Sequence, residues 1–352
     1  MPHAPPLGAL LRQYAAGSAL TCEPVEQGLL NRGYRLRTTR GRYFLKHHFD
    51  PETADPTAIA RQHRATQRLA ALGVPVAPPL TGTDGRTVAV VGGHAYALHP
   101  WVDGRHRHGG QLSTEQCARL GALLGVVHAS LERVMPAEGR TAAKPADGTE
   151  RAQGTAPTEG ADPARGADPA DTFALIDRLL AHVRRHRPSD AFDELARHRL
   201  LERRALLERH ADRRPPQGGS VGWVHGDFHP FNLLYRDGEP AAIVDWDRLG
   251  IHPRAEEAVR AAVIFFVRPL GTLDLTKVRA YARAYRRTAG ATPSELTAAV
   301  HRVWWERLND FWILRWHYER GDTRADPQFP AASALAVWWT REYESVCEAF
   351  AG

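Results

Sequence analysis

Residues 224–250 read VHGDFHPFNLLYRDGEPAAIVDWDRLG and carry the strongest signal in the chain. Val221–Val224 is an apolar approach to this stretch. Leu233–Tyr235 and Ala241–Val244 have the apolar character of two short strands, and Arg236–Pro240 supplies turn residues between them. Such a hairpin sets Asp227 and Asn232 on the loop before one strand and Asp245 at the end of the next. Two carboxylates and an amide oxygen brought together are hard donors, suited to Mg²⁺ on a nucleotide triphosphate. A carboxylate not tied up by metal accepts the proton of an incoming hydroxyl. Asp, Asn and Gly also fill ordinary turns. Here His-Gly-Asp-x4-Asn is followed by an apolar strand that ends in Asp, so several spacings are met at once.

Upstream, runs at Thr21–Gln27, Tyr34–Thr39, Arg42–Lys46, Thr87–Val91 and His94–His99 predict strands, with Gly92 and Gly93 turning the last pair. Thr57–Leu72 has helical spacing and stops at Gly73. Beyond Ser113, a good N-cap, the pattern becomes helical, with Leu120, Leu123, Leu124 and Val127 on one face. Residues 136–169 break it. They are rich in Ala, Gly, Pro, Thr and acidic residues, too poor in large apolar side chains to offset the entropy of ordering, and are expected to form a disordered insertion. Helices resume over 172–186 and 190–211, and after the 221–247 island they run to the end. A β-rich part followed by a helical one predicts an α+β chain, with an N-lobe over 1–100 and a C-lobe over 101–352.

The bulk properties agree. At 352 residues the chain suits two lobes better than one core. Its formal charge of +6 is scattered through helices rather than gathered in a stripe, so no nucleic-acid partner is expected. Cys22, Cys117 and Cys347 lie far apart and form no C-x-x-C pair, which fits a reducing compartment. The first residues lack a secretory pattern and no run of 18 apolar residues occurs, so the expectation is a cytoplasmic protein without a membrane partner.

HGDFHPFN resembles the catalytic loop, and IVDWD the metal-binding strand end, of the aminoglycoside phosphotransferase and choline-kinase-like family. The likeness runs from about residue 20 to 320 outside the insertion. It implies a bilobal protein-kinase-like fold and an ATP-dependent kinase using Mg²⁺. Asp227 is then the catalytic base, Asn232 and Asp245 hold Mg²⁺, His225 braces the loop, and Asp247 is a further carboxylate nearby. QGLLNRGYRLRT, residues 27–38, is similar to the nucleotide-covering loop, with Gly28, Asn31 and Gly33 implied on the nucleotide and Lys46 on the α/β-phosphates. Taken alone, such glycines serve ordinary hairpins and a strand lysine is usually a solvated edge residue. The helix Glu that pairs with this lysine in the family aligns with Gln62, which hydrogen-bonds but does not neutralise; Glu52 and Asp55 are the candidate substitutes. AYALHPWVDG, residues 95–104, resembles the connection between lobes, with His99 to Trp101 implied as adenine contacts; a plain strand ending in a turn reads the same way. In HPRAEEAVRAAVIFF, Glu256 and Glu257 occupy the region where the family commonly has a bracing Asp.

VWWERLNDFWILRWHYERGD, residues 303–322, is expected as one helix with Trp305, Trp312 and Trp316 along a stripe, either as core packing or as a substrate wall. Asp310 and Glu306 on it are candidate contacts for a cationic or hydroxyl-bearing substrate. Residues 253–352 hold 14 Lys and Arg against 12 Asp and Glu, a net of +2, which is not the acidic face a polycation needs. The nine tryptophans favour sugar or ring faces. The expected acceptor is therefore a hydroxyl on a small molecule of antibiotic, sugar or amino-alcohol type. The competing readings are a Ser/Thr peptide kinase and a nucleotide-binding pseudokinase, the latter having no physical need to keep Lys46, Asp227, Asn232 and Asp245 together.

Overall fold

The structure, a computed structural model, describes residues 4–25, 31–49, 54–135, 166–216 and 219–352. Helix α1 (Leu7–Gln13) precedes strands β1 (Ala19–Val25), β2 (Arg32–Thr38) and β3 (Gly41–His48). Helix α2 (Pro56–Ala71) leads to β4 (Ala89–Val91) and β5 (His94–Pro100). The five strands form an antiparallel sheet in the order β1-β2-β3-β5-β4. Alternation sorts its two faces. Leu36, Leu45, Tyr96 and Leu98 point one way and pack with Leu10, Leu11 and Tyr14 of α1, while Ile59 of α2 meets Val88 and Ala95. Each such aliphatic side chain, when fully buried, contributes about 1.5–3 kcal/mol. The register puts Gly33 and Ala97 opposite Lys46, so the lysine rises between the two smallest neighbours available.

The helices and short strands that follow are α3 (Thr114–Val134), α4 (Pro169–Arg185), α5 (Ala191–Arg209), β6 (Val221–Val224), β7 (Leu233–Arg236), β8 (Glu239–Ile243) and β9 (Gly250–Pro253). The chain ends through α6 (Arg254–Phe266), α7 (Leu275–Ala289), α8 (Pro293–Asn309), α9 (Trp312–Arg315), α10 (Phe329–Arg341) and α11 (Tyr343–Ala351). Strands β7 and β8 form the expected hairpin, turned by Asp237 and Gly238 at φ 52° and 87°. Two residues with positive φ make the tight turn whose twist suits paired strands.

Two compact units divide the chain. The described residues of the first fall within 4–107, 126–135 and 222–252, so the 222–252 segment, expected with the helical lobe, packs with the N-terminal sheet. The hairpin is fastened there by the Ile243 amide donating to the Pro75 carbonyl at 2.8 Å and by the bridge between Arg105 and Tyr235. The described residues of the second unit fall within 108–125, 166–221 and 253–352 and are mostly helical, with Trp304, Trp305 and Trp339 wholly buried. At Gly121 a Cβ would stand 2.1 Å from the Tyr281 carbonyl oxygen, so the glycine is what lets α3 lie against α7.

Four expectations change. Helix α1 and strand β9 went unread; both are short, and Pro6 gives α1 no side-chain cap. Residues 136–165 of the expected insertion lie outside the described residues, but 166–169 lead into α4, whose N-cap Asp168 accepts from Ala170 and pairs with Arg214 at 2.8 Å. The single helix expected over 303–322 ends at Asn309. Asp310 is extended there and its carboxylate accepts the Trp312 amide at 3.1 Å, which starts a new turn. Trp305 and Trp312 therefore do not share a helical stripe.

Candidate active site

Asp227 sits on the loop after β6, and the loop's shape follows from three neighbours. The Asp227 amide donates to Nδ1 of the fully buried His225 at 3.2 Å. That leaves Nε2 of a neutral His225 carrying the proton, 3.0 Å from the Val244 carbonyl. One imidazole thus ties the loop to the strand end that delivers Asp245. Gly226 has φ +86°, and a Cβ on it would stand 2.1 Å from the Arg248 carbonyl oxygen. No L-residue satisfies both conditions. Asn232 donates from its side-chain amide to the Asp227 carbonyl at 2.8 Å and lies 3.1 Å from His229 Nε2, which leaves its Oδ1 as the remaining acceptor. The Asp227 carboxylate, 15% exposed, has His229 Nε2 at 3.4 Å and Arg248 Nε at 4.0 Å.

Lys46 reaches the same region from β3. Its ammonium lies 2.7 Å from Asp245 Oδ1 and 2.7 Å from Asp247 Oδ1. Burial alone would lower its pKa, but the two carboxylates more than offset that and hold it charged, above the usual range. Burial likewise works to raise Asp245, and the charge and hydrogen bond of Lys46 overcome it, leaving Asp245 well below the usual carboxylate range. Asp247 goes the other way: burial and the neighbouring Asp245 push it up to about 6 against the pull of Lys46. Asp245 adopts φ +60°, a strained conformation for a non-glycine residue that costs on the order of 1–3 kcal/mol. Strain of that kind concentrates at functional sites.

The missing glutamate is answered here. Gln62 donates to the Asp247 carbonyl at 2.8 Å rather than to Lys46, and the carboxylates facing Lys46 are Asp245 and Asp247. Asp55 caps α2 by accepting from Thr57 and Ala58, and Glu52 lies outside the described residues. Asn31 donates to Asp247 Oδ2 at 2.5 Å and accepts the Phe49 amide at 3.2 Å, so it links the end of the β1–β2 connection to the acidic pair. Gly28 lies outside the described residues. Gly33 is a strand residue of β2, where a Cβ would meet the Phe44 ring at 2.7 Å.

The residues implied as adenine contacts lie at the end of β5. His99 Nδ1 bonds to the Ala77 carbonyl at 2.9 Å, and the Trp101 amide donates to the Arg42 carbonyl at 3.0 Å. In an antiparallel ladder alternate residues face the same partner strand. His99 and Trp101 therefore turn their backbone groups to β3. The Pro100 carbonyl and Val102 amide fall on the opposite edge, the edge on which Leu98 accepts from Leu80.

Three expected acceptor contacts lie in the second unit. Trp305 is wholly buried and its indole N–H donates to the Ala167 carbonyl at 3.0 Å, which leaves the ring no exposed face. Glu306 and Glu256 share Arg260, at 2.8 Å and 2.9 Å. Glu256 is thereby placed in an arginine network, and burial raises its pKa. Glu257 is buried on the same helix. Asp310 is buried 3.9 Å from Arg307, and burial pushes its pKa up to about 6.

Residues 21–291 match the Phosphotransferase enzyme family. The chain belongs to that family. The homoserine kinase of Bartonella tribocorum is 27% identical over 126 residues, which is 36% of this chain and 38% of the relative. The homoserine kinase of Granulibacter bethesdensis is 27% identical over 122 residues, 35% of this chain and 37% of the relative. The matched stretch thus spans well under half the length of these curated relatives. Among solved structures, a spectinomycin phosphotransferase in complex with ADP and spectinomycin is 13% identical, with a TM-score of 0.60 over 99% of this chain and 98% of the other. An amicoumacin kinase in complex with AMP-PNP and Ca²⁺ is 16% identical, with a TM-score of 0.57 over 95% and 93%. A microcompartment-associated aminopropanol kinase is 16% identical, with a TM-score of 0.58 over 97% and 98%. These likenesses establish the fold of the phosphotransferase family for this chain, a sheet-based N-terminal region with a helical C-terminal one. Among the described residues no helix is long and apolar enough to cross a membrane.

Asp247 as a direct partner of Lys46, and the outward-facing Val102 amide, were not read from sequence.

Proposed function

We propose that this phosphotransferase moves the γ-phosphate of ATP to a hydroxyl of a small molecule. The observation that carries the reading is the Lys46 ammonium shared by Asp245 and Asp247, in the same compact unit as a loop that presents Asp227 and the free side of Asn232. The donor set fits a hard cation: an ionised Asp245, 47% exposed, and the Asn232 Oδ1 left over from its amide bonds. Asn232 and Asp245 would hold Mg²⁺, which when bound neutralises charge on the transferring phosphoryl group.

The chain's own residues then divide the work. Lys46 serves the α/β-phosphates, and Asp247, braced by Asn31 and by Gln62 on its carbonyl, remains as the lysine's counter-charge. The Pro100 carbonyl and Val102 amide offer an acceptor and a donor to the adenine edge. Asp227, kept in place by His225, His229 and Arg248, orients the acceptor hydroxyl and takes its proton as oxygen bonds to the γ-phosphorus and ADP departs. Positioning and charge supply most of the acceleration.

The homoserine, aminopropanol and antibiotic kinases among the relatives support an acceptor with an alcohol group on a compact, amine-bearing or antibiotic scaffold. The acceptor reading draws on none of Trp305, Glu306 and Asp310: the first is wholly buried, the second is engaged with Arg260, and the Asp310 side chain is 8% exposed and lies 3.9 Å from Arg307. Three free thiols suit a reducing, cytoplasmic setting.

Titration calorimetry with ATP, with and without Mg²⁺, tests the division of roles. Asp227→Asn is expected to bind MgATP within about threefold of wild type, whereas Asp245→Ala loses at least about tenfold, ~1.4 kcal/mol. Equal losses in both variants would contradict it.

A further inference from the structure

The second unit gathers two imidazoles and a carboxylate from positions far apart in the chain. His186 caps the end of α4, Asp193 lies in the first turn of α5, and His317 belongs to the π-turn over 316–320. Each offers one ligand atom, and these atoms all lie within 4.8 Å of one another; among the described residues this is the one such group. The groups around them are arranged as a metal site's outer contacts are. Asp326 Oδ2 stands 2.8 Å from His317 Nδ1, which leaves Nε2 as the nitrogen open to a ligand. The His317 ring is also held face to face by Phe192 at 4.3 Å. Tyr318 donates to Asp193 Oδ1 at 2.6 Å, and the Asp190 amide donates to Oδ2 at 3.1 Å. A carboxylate on the far nitrogen of a ligating histidine fixes its tautomer and orientation, and a bonded carboxylate is likewise oriented. A π-turn is itself uncommon and frequent at functional positions.

We propose that His186, Asp193 and His317 form a zinc site that clasps the α4–α5 connection to the π-turn. Two imidazoles and one carboxylate match the borderline character of Zn²⁺ and leave a fourth position for water. The hard cations prefer oxygen donors, which sets this site apart in chemistry from one for Mg²⁺. Exposure falls from 40% at His186 to 10% at His317 and 2% at Asp193, so entry is from the His186 side. His186 Nδ1 lies 2.8 Å from Asp193 Oδ2. Zinc replaces that hydrogen bond by ligation and releases a proton where the bond carried one.

The experiment uses the full chain, freed of metal by a chelator and titrated with ZnCl₂ by calorimetry, with thermal unfolding as the second readout. Wild type is expected to take up one Zn²⁺ per chain and to unfold at a higher temperature with it, whereas MgCl₂ alone leaves the midpoint unchanged. His317→Ala and His186→Gln both lose the uptake and the thermal shift. Asp326→Asn keeps the stoichiometry but binds about 10- to 100-fold more weakly, as the loss of an outer partner does. His186 lies at the exposed edge, so His186→Gln keeps the fold, checked by circular dichroism, and reads the site even where His317→Ala destabilises. No uptake by wild type, or uptake unchanged in His186→Gln through other histidines among the chain's 18, overturns the proposal.

Discussion

Gly226 shows how narrowly one residue is specified. Its φ of +86° and the 2.1 Å from a built Cβ to the Arg248 carbonyl oxygen act together, and neither relaxes unless the loop bearing Asp227 moves. Gly226→Ala is expected to cost about 1–3 kcal/mol of stability, read by urea unfolding, and to abolish phosphoryl transfer. Asp247 is specified by charge instead. Asp247→Asn leaves Lys46 with Asp245 as its remaining carboxylate partner of the pair, so the lysine competes for the oxygen a metal requires. MgATP affinity should fall about tenfold, ~1.4 kcal/mol, in calorimetry. An unchanged affinity would show that Asp247 is not what keeps Lys46 available.

At the scale of elements, the β7–β8 hairpin lies between the loop bearing Asp227 and Asn232 and the segment bearing Asp245, and its turn rests on Asp237 and Gly238. Gly238→Val places a β-branched residue at φ 87° and should cost about 1–2 kcal/mol, read as a lower urea midpoint. This hairpin and the five strands of the N-terminal sheet were legible because period-two alternation and turn residues are local signals. Asp227, Asn232 and Asp245 could be put forward as site residues from sequence because one short stretch holds all three. Helix α1 was not, being seven residues long and lacking a side-chain cap. Nor was the break at Asp310, where a side-chain bond to Trp312 outweighs an unbroken helical pattern. The pairing of Lys46 with Asp247 joins residues 201 positions apart, and no local signal reports a contact of that kind.

Across the molecule, the first unit carries an acid liability on its sheet face beside α2. His48, His63 and His99 have pKa values pushed down to about 2, 3 and 4, first by burial, with positive neighbours adding to it at each. Among the described residues His48 has no hydrogen-bond partner on either ring nitrogen. A base whose folded pKa is depressed contributes stability that is whole above its unfolded value of 6.5 and is lost as pH falls toward the folded one. At about pH 5 each fully buried imidazole accounts for up to about 2 kcal/mol of loss. Asp247, raised to about 6, has the opposite sign and returns part of this as pH falls through its folded value. Denaturation midpoints should therefore drop between about pH 7 and pH 5, and His48→Leu should flatten that slope. An unaltered slope would place His48 outside the effect.

The most direct test is ATP consumption by pure protein with Mg²⁺ against a panel of amino alcohols, hydroxy amino acids, sugars and antibiotics, beside the Asp227→Asn variant. Transfer to at least one compound, abolished in the variant while the variant still binds MgATP, is the expected result. Wild-type protein that binds MgATP and phosphorylates nothing, or transfer that persists in Asp227→Asn, contradicts the assignment of a small-molecule kinase with Asp227 as its base.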